Sequence, residues 1–275
     1  MSSALRVQYH NATMRALEGH CALITGSTQG LGLAAAHRFA AAGCHIVLSG
    51  IATRDDAEGL VVELASRYGI RAAYAAGDLS RPADIDRIVE TARSAFGTVD
   101  ILVNNAVVRH AAPVQDFSPE KWDEGLAVNL SAAFHLIRLT VPMMQARGWG
   151  RILNVSSIYG LKGAVNRIGY VTTKTALLGL TRAVALEGIA HGITCNAICP
   201  GTTETPIHEE AIRASMAAGA ISRQDAEQRF FAAKQPTGRF ISADQVAALM
   251  VFLCGADASD ITGAAVPVDG AWSAS

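Results

Sequence analysis

From residue 20 onward, short apolar runs alternate with longer helical segments. Runs at 21–25, 45–49, 70–75, 100–104, 151–156, 193–198 and 265–268 are continuously apolar rather than alternating in polarity. Strands of that kind are covered on both faces, as in a parallel sheet. Parallel neighbours need a long crossover, and the helical segments between the runs supply it. Helices are expected at 31–42, 55–68, about 119–147, 169–191 and 242–253. One more opens at Pro82, a residue suited to a first helical turn, and turns Ile85, Ile88, Val89, Ala92 and Phe96 to one side. Repeated β-α units predict one doubly wound, Rossmann-like α/β domain with a parallel sheet of about seven strands and helices on both faces. The domain is expected over 18–275, after a flexible extension at 1–17. A polar helical stretch at about 204–235 reads as a lid inserted into it.

Half of the 275 residues are hydrophobic and mean hydropathy is +0.25, enough for a sizeable core and for surface that pairs with other subunits. With 23 Lys+Arg against 24 Asp+Glu there is no basic field to hold a nucleic acid. No apolar run reaches bilayer length and residues 1–17 contain no secretory apolar core, so no membrane association and a cytoplasmic location are expected. The five cysteines read as buried thiols of a reducing compartment. Cys195 and Cys199 with His191 and His208 lack a completing pair, so no metal is expected.

The first run leads into Thr25-Gly26-Ser27-Thr28-Gln29-Gly30-Leu31-Gly32. Glycines between a strand and a helix permit a tight turn and a close approach to a pyrophosphate, and the helix N-terminus offers free N–H groups to it. Farther on, Tyr170-Val171-Thr172-Thr173-Lys174 puts a phenol and an ammonium on one helix face. A phenol with a pKa near 10 is too weak an acid to serve as phenolate at neutral pH, and a neighbouring cation lowers that value. Such a tyrosine can take or give a proton at a substrate oxygen.

These motifs in this order resemble the short-chain dehydrogenase/reductase family over about residues 18–272. The likeness takes in Gly77-Asp78-Leu79, Asn104-Asn105-Ala106 with Val107 where the family has glycine, and Pro200-Gly201 with Thr205-Pro206. It implies an NAD(P)-dependent oxidoreductase acting on a secondary alcohol or ketone, commonly a homotetramer. Cofactor contacts then fall on Gly26, Ser27, Gln29, Gly30, Leu31, Gly32, Asp78, Leu79, Asn105, Tyr170, Lys174, Pro200 and Thr205. Ser157, thirteen residues before Tyr170, would bond the substrate oxygen, and Asn129 would anchor a water that relays protons. The second run ends Ser49-Gly50-Ile51, with neither an acid for the ribose 2′-OH nor an arginine for a 2′-phosphate. Gln29 adds no charge and Arg54 is the one cation nearby, so NAD is expected, with NADP as the alternative.

Within that family the chain also resembles the D-3-hydroxybutyrate dehydrogenases, through Ile193 to Gly201, Val251 to Cys254 and Val268 to Trp272. Their substrate-pocket residues are replaced here by Arg109, Tyr159, Arg167 and Thr202. Two guanidiniums beside the tyrosine call for an anion, which each can clamp in bidentate fashion. Thr202 in place of a tryptophan enlarges the pocket. The expectation is a hydroxy acid or related anion, bulkier or more charged than 3-hydroxybutyrate. The plainer alternative has both arginines facing solvent and holding loop carbonyls. Trp272 either reaches a neighbouring subunit or packs the chain end. The competing functions are an NADPH-dependent reductase of a neutral ketone and a non-catalytic dinucleotide-binding protein.

Overall fold

The computed structural model describes residues 16–275 apart from 205 and 233. Seven strands form one sheet: β1 Cys21–Thr25, β2 His45–Gly50, β3 Ala72–Ala76, β4 Ile101–Asn104, β5 Gly150–Val155, β6 Ile193–Pro200 and β7 Ala265–Val268. Their order is β3-β2-β1-β4-β5-β6-β7 and every pairing is parallel. The winding reverses between β1 and β4, and a crevice opens there beyond the strand C-termini.

Alternate residues of each strand face opposite layers. Ile24, Ile46 and Val103 point to the layer built by α1 (Gly30–Ala41), α2 (Arg54–Tyr68) and a late helix (Ala243–Cys254), where Phe39, Leu64 and Met250 are buried. Leu23, Val47 and Leu102 point to the layer of α3 (Pro82–Phe96) and the long helical run after β4. In α3 the predicted stripe of Ile85, Ile88, Val89 and Ala92 is buried, with Phe96 packed at its edge. Local chemistry closes the helix ends: Thr53 and Asp56 form a capping box on α2, and Gly69 ends it at φ +66°.

Four differences from expectation bear on the site. The long run is α4 (Pro119–Leu126), a π turn (Ala127–Ser131) and α5 (Ala132–Arg147), with Asn129 inside the π turn. That run as a whole, Pro119–Arg147, is long and apolar enough by length and composition to cross a membrane, against the expectation that no segment reaches that length. Here it lies along the sheet with Leu136, Ile137 and Met144 in the core. β6 continues to Pro200, two residues beyond its expected end. Leu17, inside the stretch read as an extension, is buried and donates its N–H to the Ala42 carbonyl at 3.1 Å. Residues 1–15 lie outside the described residues.

The remaining helices are α6 (Ile168–Gly188), α7 (Pro206–Gly219), α8 (Arg223–Phe231) and α9 (Ala243–Cys254). The segment expected to be a lid consists of two helices, α7 and α8, packed on each other. All five cysteines are free and buried. Burial pushes their thiols up, that of Cys195 to about 12, so they act as small apolar groups.

Candidate active site

At the β1–α1 junction, Gly26 and Gly30 take left-handed backbone at φ +61° and +56°. A Cβ on Gly26 would meet Ala106 Cα at 2.9 Å, and one on Gly32 would meet Asn105 Nδ2 at 2.6 Å and Ser27 Cα at 2.8 Å. These two glycines let the turn close on the loop after β4. Gly30 differs, because a Cβ there would meet nothing within 4 Å. Gln29, the N-cap of α1, makes no side-chain cap bond. The turn therefore offers backbone and a helix N-terminus to open space at Gly30 and Leu31, as a dinucleotide pyrophosphate requires.

Asn105 Nδ2 donates to the Thr25 and Gly26 carbonyls at 2.9 and 3.0 Å, and Thr25 Oγ1 accepts from the Asn105 and Ala106 N–H groups. Val107 keeps a negative φ, so its replacement of glycine introduces no left-handed strain. Ser27 lies inside the glycine turn. It is fully buried, its N–H donates to Ser49 O, and its hydroxyl donates to Ile24 O and accepts from Ser49 N. The N–H and the hydroxyl join β1 to β2, so Ser27 shapes the turn. Asp78 and Leu79 follow β3. Asp78 accepts from both Ser80 N–H and Ser80 Oγ, and Leu79 is buried at the crevice floor.

Asn129 exchanges two hydrogen bonds with the Val108 backbone, at 2.8 and 3.0 Å, and lies 3.4 Å from Thr173 Oγ1. It thereby clasps the loop after β4 to α6, and the π turn is what swings its side chain to that position. A cavity of about 10 Å³, the size of one water, is lined by Thr25, Asn104, Asn129 and Lys174.

α6 presents Tyr170 and Lys174 together. Both are buried, and Lys174 Nζ donates to Val155 O at 2.7 Å and lies 5.7 Å from the Tyr170 ring centre. Burial opposes ionisation of Tyr170, but the charges of Lys174 and Arg109 and hydrogen bonding from Ser157 and Arg109 outweigh it, so its pKa falls below the ordinary 10. Burial, reinforced by the Arg109 charge, pulls Lys174 down as well. The two adjacent serines separate cleanly. Ser156 Oγ donates to Lys174 O at 2.7 Å, a structural bond, while Ser157 Oγ accepts from Tyr159 N–H at 3.2 Å and turns its proton toward Tyr170.

On the rim, the Arg109 guanidinium sits 5.6 Å from the Tyr170 ring centre. Tyr159 packs edge-on between Tyr170 and Trp272, at 6.3 and 5.4 Å. Trp272 is buried within its own subunit, and Lys162 Nζ donates to its carbonyl at 2.9 Å, which favours chain-end packing over a reach to a neighbour. Arg167 is the N-cap residue of α6. Pro200 ends β6, and Thr202 is buried, donating its N–H to Gln235 Oε1 and accepting from Ile241 N at 2.9 Å. Thr205 lies outside the described residues. Sequence reasoning missed Lys234 and Gln235 and weighed His208 only as a metal ligand; all three lie in the segment 204–235. No motif spacing points to them, because they meet the rim only through the chain's return path.

Residues 20–215 match the family described as short chain dehydrogenase. D-beta-hydroxybutyrate dehydrogenases of Cupriavidus necator and Rhizobium meliloti are each 40% identical to this chain, over 93% and 92% of it and 98% of their own length. The crystal structure of L-sorbose reductase from Gluconobacter frateurii, complexed with NADPH and L-sorbose, superposes with a TM-score of 0.89 at 33% identity, covering 95% of this chain and 99% of that one.

Proposed function

The chain belongs to the short chain dehydrogenase family and is an oxidoreductase acting on CH–OH groups, and from that premise we propose that it moves a hydride between NAD(H) and an anionic secondary alcohol such as a hydroxy acid. The observation that carries this reading is the Arg109 guanidinium beside the acidified, buried Tyr170. A neutral substrate would leave that charge facing the reacting oxygen without a partner.

Gly30, Leu31 and Gly32 would hold the pyrophosphate with the free N–H groups of α1, with Gly26 closing the turn and Gln29 at its edge. Asp78 and Leu79 would border the adenine, and Asn105, Pro200 and Thr205 the nicotinamide. When bound, the nicotinamide accepts a hydride from the carbinol carbon in oxidation or donates one to the carbonyl carbon in reduction. Every other task falls to this chain. Tyr170 takes the substrate hydroxyl proton in oxidation and returns it in reduction. Lys174 keeps the phenol acidic from beneath and reaches the ribose hydroxyls. Ser157 donates its proton to the substrate oxygen. Asn129 fixes the loop that carries Arg109, and the water-sized cavity between Asn129 and Lys174 supports a proton path away from the phenol.

NAD is favoured because β2 ends in Gly50, followed by Ile51, 88% exposed and unable to bind a 2′-phosphate. The NADPH complex of the Gluconobacter reductase supports the second reading, an NADPH-dependent reductase of a neutral ketone. Phe134, Leu186 and Phe252, exposed on α5, α6 and α9, support assembly as a homotetramer. The five buried thiols support a cytoplasmic setting, and α7 with α8 would serve as the lid.

The test pairs the enzyme with NAD and D-3-hydroxybutyrate, and separately with NADPH and L-sorbose, following nicotinamide absorbance. Turnover in the first pair alone is expected. Turnover in the second pair alone replaces this reading with the neutral-ketone one.

A further inference from the structure

The rim of the site holds more positive charge than one carboxylate neutralises. Arg109 stands at Tyr170, and Arg167 caps the helix that bears it. The two loops that carry them are tied by Ala112 N–H donating to Asn166 O at 3.2 Å. In the stem after α8, half-buried Lys234 lies 4.0 Å over the Phe230 ring and close enough to Arg167 to feel its charge. Phe230 in turn packs against His208 and Phe240, at 5.7 and 5.9 Å.

The stem is anchored. Gln235 accepts from Thr202 N–H through Oε1 and donates through Nε2 to Arg239 O at 2.7 Å. Lys234 is therefore held at the base of the lid, beside the loop that follows β6. Burial and then the Arg167 charge depress its pKa, and no carboxylate acts in the other direction. His208 is depressed by burial and by the charges of Arg109, Lys234 and Arg167. Other cations of the lid are treated differently, since Arg213 and Arg223 pair with Glu209, and Arg223 also with Glu227. Among the described residues, Arg109, Arg167 and Lys234 form no ion pair with a carboxylate. Like charges gathered in a partly buried cleft are unfavourable unless a ligand brings the counter-charge.

We propose that the substrate carries a second anionic group, a carboxylate or phosphate remote from the carbinol, held by Arg167 and Lys234 while Arg109 takes the charge nearer the reacting carbon. This rests on the reading that the site accepts an anion at all. Lys234 then sets specificity.

The test measures kcat/KM of the full chain with saturating NAD. The substrates are 3-hydroxybutyrate, 3-hydroxyglutarate, 3-hydroxyadipate, the half methyl esters of both diacids, and phosphate analogues in place of the remote carboxylate. The best dianion is expected to exceed its half ester by about 30-fold, through KM, as suits a charge-assisted pair. Lys234→Met should compress that ratio to about threefold or less, and Lys234→Arg should restore it. Whether the carboxylate or phosphate series shows the larger ratio identifies the remote group. Half esters that match their diacids, or a Lys234→Met loss equal for both, overturn the proposal. Turnover of 3-hydroxybutyrate with every dianion inert removes the second charge and leaves the single-anion reading standing. Inert acids of every kind, with a neutral ketone reduced, remove both.

Discussion

The two edges of the sheet handle charge in opposite ways. At the N-terminal edge, Asp100 is fully buried just ahead of β4 and is closed off by the fold. It accepts from Cys21 N–H at 2.9 Å, Thr98 Oγ1 at 3.2 Å and Arg147 Nε at 2.8 Å, with His20 3.8 Å away. Burial opposes its ionisation, yet His20, the Cys21 N–H and Arg147 outweigh that and hold its carboxyl below the usual range. At the C-terminal edge, Lys174 donates to a single carbonyl, and among the described residues Arg109, Arg167 and Lys234 form no ion pair with a carboxylate. Charge completed by the protein serves the fold. Charge left without a carboxylate of the protein is what the proposed anionic substrate would complete.

Three substitutions test that contrast. The largest effect is expected from Tyr170→Phe, which removes the proton-transferring oxygen and should lower kcat about a thousandfold. Binding of reduced cofactor, followed by its fluorescence, should persist, and a kcat within threefold of wild type would abolish the distinction between the edges. Arg109→Met comes next, with KM for the anionic substrate rising about 30-fold. It also removes a positive charge that lowers the Tyr170 pKa, so the phenolate forms at higher pH. The ascending, acid-side limb of the oxidation rate should therefore shift upward in pH, and a shift downward, or none, would mean that Arg109 does not act on the phenol. The smallest effect belongs to Arg147→Met at the other edge. Arg147 is half exposed, so its pairing with Asp100 is screened and its loss should lower stability by about 1–2 kcal/mol at neutral pH. Because the Asp100 pKa is depressed in the folded state, its contribution is present above the ordinary carboxylate value and is lost as pH falls through the folded one. Denaturant melts of the two proteins should thus converge in acid, while kcat is unaltered. A large kcat loss would show that the edges are coupled.

Much of the architecture is legible in the amino-acid sequence. Continuous apolar runs separated by helical stretches specify a parallel sheet, because a strand covered on both faces has no side to leave polar. Gly26, Gly30 and Gly32 announce a turn through their missing side chains, and four-residue spacing brings Tyr170 and Lys174 onto one face. Each signal is local, carried by neighbours along the chain.

What the fold alone decided is non-local. Ser27 sits in the glycine turn and looks like a ligand contact, yet its hydroxyl is engaged by Ser49, a residue on the next strand. Asn129 reads as one position on a continuous helix, and only the π turn aims it at Val108. Lys234 is one lysine in a polar stretch until the return of the lid stem brings it to Arg167. Turn chemistry and helix faces follow from residues a few positions apart, so the sequence by itself determined the sheet, the cofactor turn and the tyrosine–lysine pair. Which polar groups are left over is decided by partners brought together from far along the chain, and so the charge of the substrate site belongs to the tertiary structure.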